Sequence, residues 1–142
     1  MFVTLEGLDG SGKTTQARLL GARFEADGTE VVLTREPGGT QLGEEIRTLL
    51  LHGGDVAPWA EAALYAASRA QHVEKLIRPA LARGATVICD RYVDSSVAYQ
   101  GIARGLGLER VLDLNLAAVG GLMPDRTILL EIGAEEIGRA HV

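Results

Sequence analysis

The feature that most constrains this chain is a glycine-rich stretch near its N-terminus, Gly7-Leu8-Asp9-Gly10-Ser11-Gly12-Lys13-Thr14. It satisfies every defined position of the phosphate-binding pattern G-x-x-x-x-G-K-S/T. The apolar run 2–5 before it predicts a buried strand, and the run 15–20 after it predicts a helix. Glycines let the backbone approach an anion, and unpaired N–H groups at a helix start point at a phosphate. The sequence therefore predicts a nucleoside triphosphate site on a strand–loop–helix unit.

The loop assigns distinct roles to its polar side chains. Lys13 is expected to reach the terminal phosphates, and the Thr14 hydroxyl to hold a magnesium ion. An ordinary glycine-rich turn is the alternative, and the complete match in the required setting argues against it. The predicted cofactor is ATP with Mg²⁺, and the predicted cofactor-binding residues are Gly7, Asp9, Gly10, Ser11, Gly12, Lys13, Thr14 and Thr15.

Composition narrows the class of protein. The chain has 142 residues, which suits one domain, and its 46% apolar and 23% charged residues are typical of a globular protein. A net charge of −5 argues against a nucleic-acid partner, because duplex binding needs a basic face. No apolar run approaches the roughly 20 residues of a membrane span. No signal-peptide pattern precedes the first strand, so a cytoplasmic location is expected. The single cysteine, Cys89, excludes an internal disulfide and is expected to be a small buried apolar residue.

Three further strands are predicted over residues 30–34, 85–89 and 126–131, with helical patterns between them. Strands that alternate with helices indicate a parallel sheet with both faces covered. Asp90 follows the second of these strands at its carboxyl end, where ligands collect in such sheets, and is expected to reach the metal. Asp94 is predicted to cap the short helix that follows.

The longest helical pattern runs from Pro58 to about Gly84, with a kink expected at Pro79. An apolar stripe at helical spacing comprises Trp59, Ala63, Ala66, Ala70, Val73 and Ile77. Tyr65, Arg69 and His72 form a second row on another face. Spacing alone is equally compatible with a pocket for a planar base and with a solvated polar face, so both interpretations stay open at this point.

With these stretches in hand, the chain resembles the bacterial thymidylate kinases, P-loop enzymes that phosphorylate dTMP to dTDP with ATP and Mg²⁺. The resemblance runs from residue 2 to about residue 135 and rests on four blocks, residues 6–15, 34–40, 64–72 and 90–101. It implies an α/β fold, a three-layer sandwich of the nucleoside monophosphate kinase type with a parallel sheet. It also implies that the last strand, the lid and the C-terminal helix of the family are missing here.

The resemblance also implies residue roles. Arg35 and Arg91 resemble the family's clamps on the acceptor phosphate and, with Lys13 and Asp90, form the implied catalytic set. Thr14 and Asp90 are the implied metal residues. Tyr65 is similar to the ring that stacks on thymine, Arg69 to the residue that hydrogen-bonds the base, and Tyr99 to the residue that favours deoxyribose. The implied substrate-binding set is Asp9, Arg35, Pro37, Tyr65, Arg69, Arg91, Ser96, Tyr99 and Gln100. On this resemblance His72 is interpreted as structural.

The C-terminal end departs from the family pattern. Residues 1–135 are interpreted as an incomplete thymidylate kinase-like domain. Residues 136–142 are interpreted as a non-native tail, because their codons can be written to match a common sequencing adapter. Since the lid is absent, this chain is expected to turn over poorly, and the intact parent is expected to be a homodimer without nucleic-acid or membrane partners. The alternatives are a nucleotide-binding module without turnover and another P-loop nucleoside or nucleotide kinase.

Overall fold

The fold is built on one parallel sheet. The computed structural model describes residues 1–133 and 135, so the tail predicted over residues 136–142 lies outside the described residues. The strands are β1 Phe2–Gly7, β2 Val31–Arg35, β3 Thr86–Asp90 and β4 Arg126–Leu130, in the spatial order β2-β3-β1-β4. The helices are α1 Lys13–Ala26, α2 Gln41–His52, α3 Pro58–His72, α4 Arg78–Ala82, α5 Val93–Ser96 and α6 Leu108–Ala118. Two π-helical segments, Val73–Ile77 and Val97–Ala103, directly follow α3 and α5.

Apolar side chains of the two central strands, β1 and β3, are buried on both faces of the sheet, since successive side chains of a strand point to opposite faces. On one face, Leu5 of β1 and Ile88 of β3 pack with Ala17 of α1. On the other, Phe2 and Val87 pack against residues that follow α3. Cys89 is fully buried on this second face, as predicted. The result is the three-layer α/β sandwich that the sequence predicts.

The strand register brings the functional stretches to one edge of the sheet. Asp90 lies opposite Leu5 of β1 and opposite Arg35 of β2, and Gly7 lies opposite Leu130 of β4. Because all strands are parallel, their carboxyl ends meet at this edge, where ligands bind in open α/β sheets. No helix of the described residues combines the length and apolarity that crossing a bilayer requires.

The longest predicted helix differs from expectation in two ways. It is interrupted before Pro79, because α3 passes into the π-helical segment Val73–Ile77, and Pro79 lies in the first turn of α4. A wider π turn accommodates a proline that lacks a backbone N–H. The predicted apolar stripe is wrong at its start, since Trp59 is 39% exposed and Ala63 is exposed, while Ala62 is buried instead. The Trp59 ring lies under the Arg110 guanidinium of α6, with 4.7 Å to the ring centroid.

The predicted cap at Asp94 is also wrong. Tyr92 occupies the N-cap position of α5, and Asp94 lies inside its first turn. The helix therefore starts two residues nearer to Arg91 than expected, and only Arg91 and Tyr92 separate it from the carboxyl end of β3. The π-helical segment that follows carries Tyr99 and Gln100 to the same edge as the glycine-rich loop. Segments of this kind are frequent at functional sites.

Candidate active site

The glycine-rich loop connects the end of β1 to the start of α1. Gly12 precedes the helix with a φ of 94°, a left-handed conformation that favours glycine. No side chain from the described part of the chain caps this helix start, so its first-turn N–H groups can bind an anion. A Cβ on Gly7 would overlap the carbonyl oxygen of Leu130 and the Ser11 hydroxyl. The loop therefore needs glycine at Gly7 for packing and at Gly12 for backbone conformation.

Lys13 lies across this loop. Its Nζ donates to the carbonyl oxygens of Gly7 and Leu8 at 3.0 and 2.8 Å, and the residue is 6% exposed. Burial lowers the pKa of the ammonium, and the nearby charge of Arg91 lowers it further. The lysine is thus held at the loop by hydrogen bonds that an anionic phosphate can replace.

Thr14 and Asp90 meet as predicted for a metal site. The Thr14 hydroxyl donates to Asp90 Oδ2 at 3.3 Å. Asp90 Oδ1 is buried and has no hydrogen-bond partner among the described residues. A buried carboxylate oxygen without a partner is costly, and carboxylate and hydroxyl oxygens are ligands that Mg²⁺ prefers. The residues present therefore fit a magnesium ion.

Arg91 is the one non-glycine residue in the described part of the chain with a left-handed backbone, at a φ of 70°. Glu6 secures this turn, because its carboxylate accepts the Tyr92 backbone N–H at 2.8 Å. The guanidinium donates to Asp9 Oδ1 at 2.7 Å and lies over the Tyr99 ring at 5.4 Å. Burial alone would lower the pKa of Arg91, but the hydrogen bond to Asp9 raises it overall. A strained residue held by its surroundings points to a functional position.

Arg35 is the second predicted phosphate clamp. It ends β2, and its Nη2 donates to Glu44 Oε2 of α2 at 3.1 Å, with both side chains about half exposed. An exposed ion pair of this kind contributes little and is easily exchanged for another anion. Arg35 and Arg91 line the same cavity, which is a necessary condition for both guanidinium groups to bind one phosphate.

The row of Tyr65, Arg69 and His72 is not a solvated face, so that interpretation is wrong. Arg69 is 2% exposed and His72 is fully buried, while Tyr65 is half-buried and lines the cavity. Burial raises the pKa of the Tyr65 hydroxyl, and Glu61 raises it further.

Arg69 is held rigidly by its neighbours. Four of its N–H donors are used within the protein, on Glu36 Oε2, Ser96 Oγ, Asn115 Oδ1 and the Tyr92 carbonyl oxygen. The guanidinium still reaches the cavity wall, so at most one N–H is left for a ligand.

Gln100 offers a ligand-binding group that the protein does not use. Its Nε2 donates to Glu61 Oε1 at 2.9 Å, while its Oε1 is buried without a hydrogen-bond partner among the described residues. The residue is 3% exposed and lines the cavity. An unused buried acceptor beside an aromatic ring suits the N–H of a planar base.

One cavity of about 640 Å³ brings most predicted residues together. Of the predicted set it is lined by Asp9, Gly10, Gly12, Lys13, Thr14, Thr15, Arg35, Pro37, Tyr65, Arg69, Asp90, Arg91, Ser96, Tyr99 and Gln100. Gly7 and Ser11 are the two residues of the predicted set that do not line it. The sequence reasoning missed four lining residues, Glu36, Arg47, Leu51 and Ser95. Glu36 and Ser95 lie within the family-like blocks 34–40 and 90–101, so their positions in the sequence could have identified them. Arg47 and Leu51 belong to α2, and no motif in the sequence marks them.

Comparisons with known proteins by family model, sequence and structure all match one family. The family model described as thymidylate kinase matches residues 5–140. A thymidylate kinase from Synechococcus sp. (strain JA-3-3Ab) is 57% identical over 99% of this chain and 69% of its own length. One from Clavibacter sepedonicus is 59% identical over 93% of this chain and 63% of its own length. A crystal structure of thymidylate kinase from Ehrlichia chaffeensis superposes with a TM-score of 0.88 at 41% identity, covering 99% of this chain and 81% of that one. The chain thus spans about two thirds of the length of these two relatives by sequence.

Proposed function

Because the chain belongs to the thymidylate kinase family, we propose that the whole protein transfers the γ-phosphoryl group of ATP to the phosphate of dTMP. The observation that carries this proposal is one continuous cavity, which is lined both by the glycine-rich loop and by Arg35 and Arg91. Two guanidinium groups opposite a phosphate loop suit an anionic acceptor rather than water.

The acceptor compartment suits a thymine nucleotide. In this proposal the base stacks on Tyr65 and donates its ring N–H to the unpaired Oε1 of Gln100. The contact of the Tyr99 ring with Arg91, a proposed phosphate clamp, supports a role for Tyr99 beside the sugar, where it would favour deoxyribose. The hydrogen bond of Asp9 to Arg91 supports the proposal that Asp9 accepts a hydrogen bond from the 3′-hydroxyl.

The proposed mechanism is positioning combined with electrostatic stabilisation. The attacking oxygen of dTMP is already anionic near neutral pH, so no strong general base is needed. Arg35 and Arg91 bring the acceptor phosphate to the loop against the repulsion of two anions, and Lys13 stabilises charge on the transferring group. Mg²⁺, when held at Thr14 and Asp90, would neutralise charge on the β- and γ-phosphates. A homodimer and a cytoplasmic location belong to the same proposal, and sedimentation and cell fractionation test them.

Acceptor selectivity tests the proposal. We expect dTMP to bind most tightly by isothermal titration, with dUMP about 10- to 100-fold weaker because it lacks one methyl group. Thymidine is expected to bind about 100-fold more weakly, since it leaves both arginines without their phosphate. Preference for dGMP would identify a different nucleotide kinase. Binding of both nucleotides without any ADP release would instead support a binding module without turnover.

Removing the charge of Asp90 tests the metal site. In Asp90→Asn we expect the Mg²⁺ concentration for half-maximal rate to rise by about 10-fold or more, because a neutral amide binds Mg²⁺ more weakly. Asp113→Asn, at an exposed position of α6, is the matched control and should leave the Mg²⁺ dependence unchanged. An unaltered Mg²⁺ curve in Asp90→Asn would remove Asp90 from the metal site.

A further inference from the structure

A fully buried histidine lies directly behind the acceptor compartment. His72 ends α3, is 0% exposed and does not line the cavity. Its Nδ1 lies 2.9 Å from Glu36 Oε1, and its Nε2 lies 2.7 Å from the Thr34 hydroxyl. Both ring nitrogens therefore bind the stretch of chain that carries Arg35, which a residue acting only as core filler would not need.

The chemistry of these partners assigns the ring's hydrogens. A carboxylate can only accept, so Nδ1 of His72 carries a proton and donates to Glu36. In the tautomer that carries its proton on Nδ1, the Nε2 atom accepts a hydrogen bond from the Thr34 hydroxyl. The other oxygen of Glu36 accepts from Arg69 Nε, so one carboxylate joins the histidine to the guanidinium at the base end of the cavity.

The His72 ring also packs against the loop formed by residues 34–39. Gly39 has a φ of 82°, and a Cβ placed on it would overlap both the His72 ring and the Thr34 hydroxyl. The outer side of the same loop is held by other groups, since Arg47 donates to the Pro37 carbonyl oxygen at 2.9 Å and Gly39 donates to Glu44 at 3.1 Å. On the buried side, the segment 34–39 is thus supported by His72 and by Ser68, whose hydroxyl accepts the Gly38 N–H at 3.3 Å.

We propose that His72 is a positioning residue for the acceptor site, which fixes Arg35 and Arg69 relative to each other through Glu36 and the loop 34–39. This inference rests on the proposed function, since it concerns the acceptor of that reaction. His72 contacts neither the glycine-rich loop nor the Thr14–Asp90 pair by any hydrogen bond among the described residues. Its loss should therefore weaken acceptor binding and leave the ATP side unchanged.

Kinetic parameters separate this role from a merely structural one. In His72→Ala we expect KM and Kd for the acceptor to rise about 10-fold or more, because small displacements of positioning groups are costly. KM for ATP should not change. A variant that only folds less completely would instead lower the apparent kcat and leave both KM values unchanged. His72→Gln, whose amide can still donate to Glu36, should recover part of the acceptor affinity.

The matched control is His52→Ala, an exposed histidine at the end of α2, which should behave like the unaltered protein. If His72→Ala does not fold, Thr34→Val answers the question, since it removes the hydroxyl but keeps the side-chain shape. It should raise the acceptor Kd about five-fold, the effect of losing one hydrogen bond.

The acceptor used is the monophosphate that the unaltered protein binds most tightly. An acceptor other than dTMP would overturn the proposed function and still test His72. If the unaltered protein binds dTMP normally, an unchanged acceptor Kd in His72→Ala, or in Thr34→Val where His72→Ala does not fold, would overturn the positioning role alone.

Discussion

Replacing Lys13 by alanine is expected to lower the rate of phosphoryl transfer by about 10²- to 10³-fold, the usual effect of removing one preorganised donor to a developing charge. Lys13 is 6% exposed and lies across the glycine-rich loop, with Nζ on the carbonyl oxygens of Gly7 and Leu8. Alanine removes the cation that accompanies the transferring group and also weakens ATP binding. ADP release with dTMP and equilibrium binding of ATP measure the two effects separately.

The chain offers a matched control for this experiment. Lys75 is its only other lysine, and it is exposed in the π-helical segment after α3. Lys75→Ala should therefore keep the rate and ATP affinity of the unaltered protein. A near-normal rate in Lys13→Ala, with folding verified by circular dichroism, would show that the loop binds nucleotide without assisting transfer.

Replacing Arg91 by alanine is expected to weaken binding of the acceptor nucleotide more than binding of ATP. It removes a guanidinium that donates to Asp9, lies over the Tyr99 ring and flanks the acceptor compartment. We expect the rate to fall by about 10²-fold or more, because the acceptor phosphate loses a bidentate clamp and the transferring group loses charge stabilisation. Single-turnover rates at saturating dTMP distinguish loss of binding from loss of transition-state stabilisation.

Two further variants sharpen the interpretation of Arg91. Arg91→Lys keeps the charge without the planar fork and should recover only part of the rate. Arg83→Ala removes a half-exposed arginine whose partner is Glu30, outside the cavity, and should have no effect on turnover. Equal rates for Arg91→Ala and Arg83→Ala would exclude Arg91 from the catalytic set.

Local sequence was sufficient to place the glycine-rich loop between a strand and a helix. The glycine-rich loop is continuous in the chain, and its geometry depends on backbone conformation that its own glycines permit. Asp90 could be placed because the carboxyl ends of parallel strands share one edge, and the structure brings it to Thr14 at 3.3 Å. The acceptor residues came from the resemblance, and their ligand roles are still predictions that the experiments above test.

In the long helical region that begins at Pro58, the spacing of apolar residues does not predict correctly which side chains are buried. Trp59 and Ala63 have the spacing of a buried stripe but are exposed, whereas Arg69 and His72 look polar and are buried. Hydrophobic spacing reports a preference for burial and carries no information about what packs against the helix. Arg69 is buried because four partners from distant parts of the chain satisfy its donors, including Asn115, which is itself fully buried.

By itself the sequence determined the parallel α/β architecture and the phosphate-binding loop, because both depend on patterns within short stretches of chain. Only the tertiary structure decided how Glu36 links His72 to Arg69, why Gly39 needs glycine, and that Arg47 lines the cavity. These are contacts between residues far apart in the chain. Their free energy depends on burial and on partners that exist only once the sheet and helices have packed.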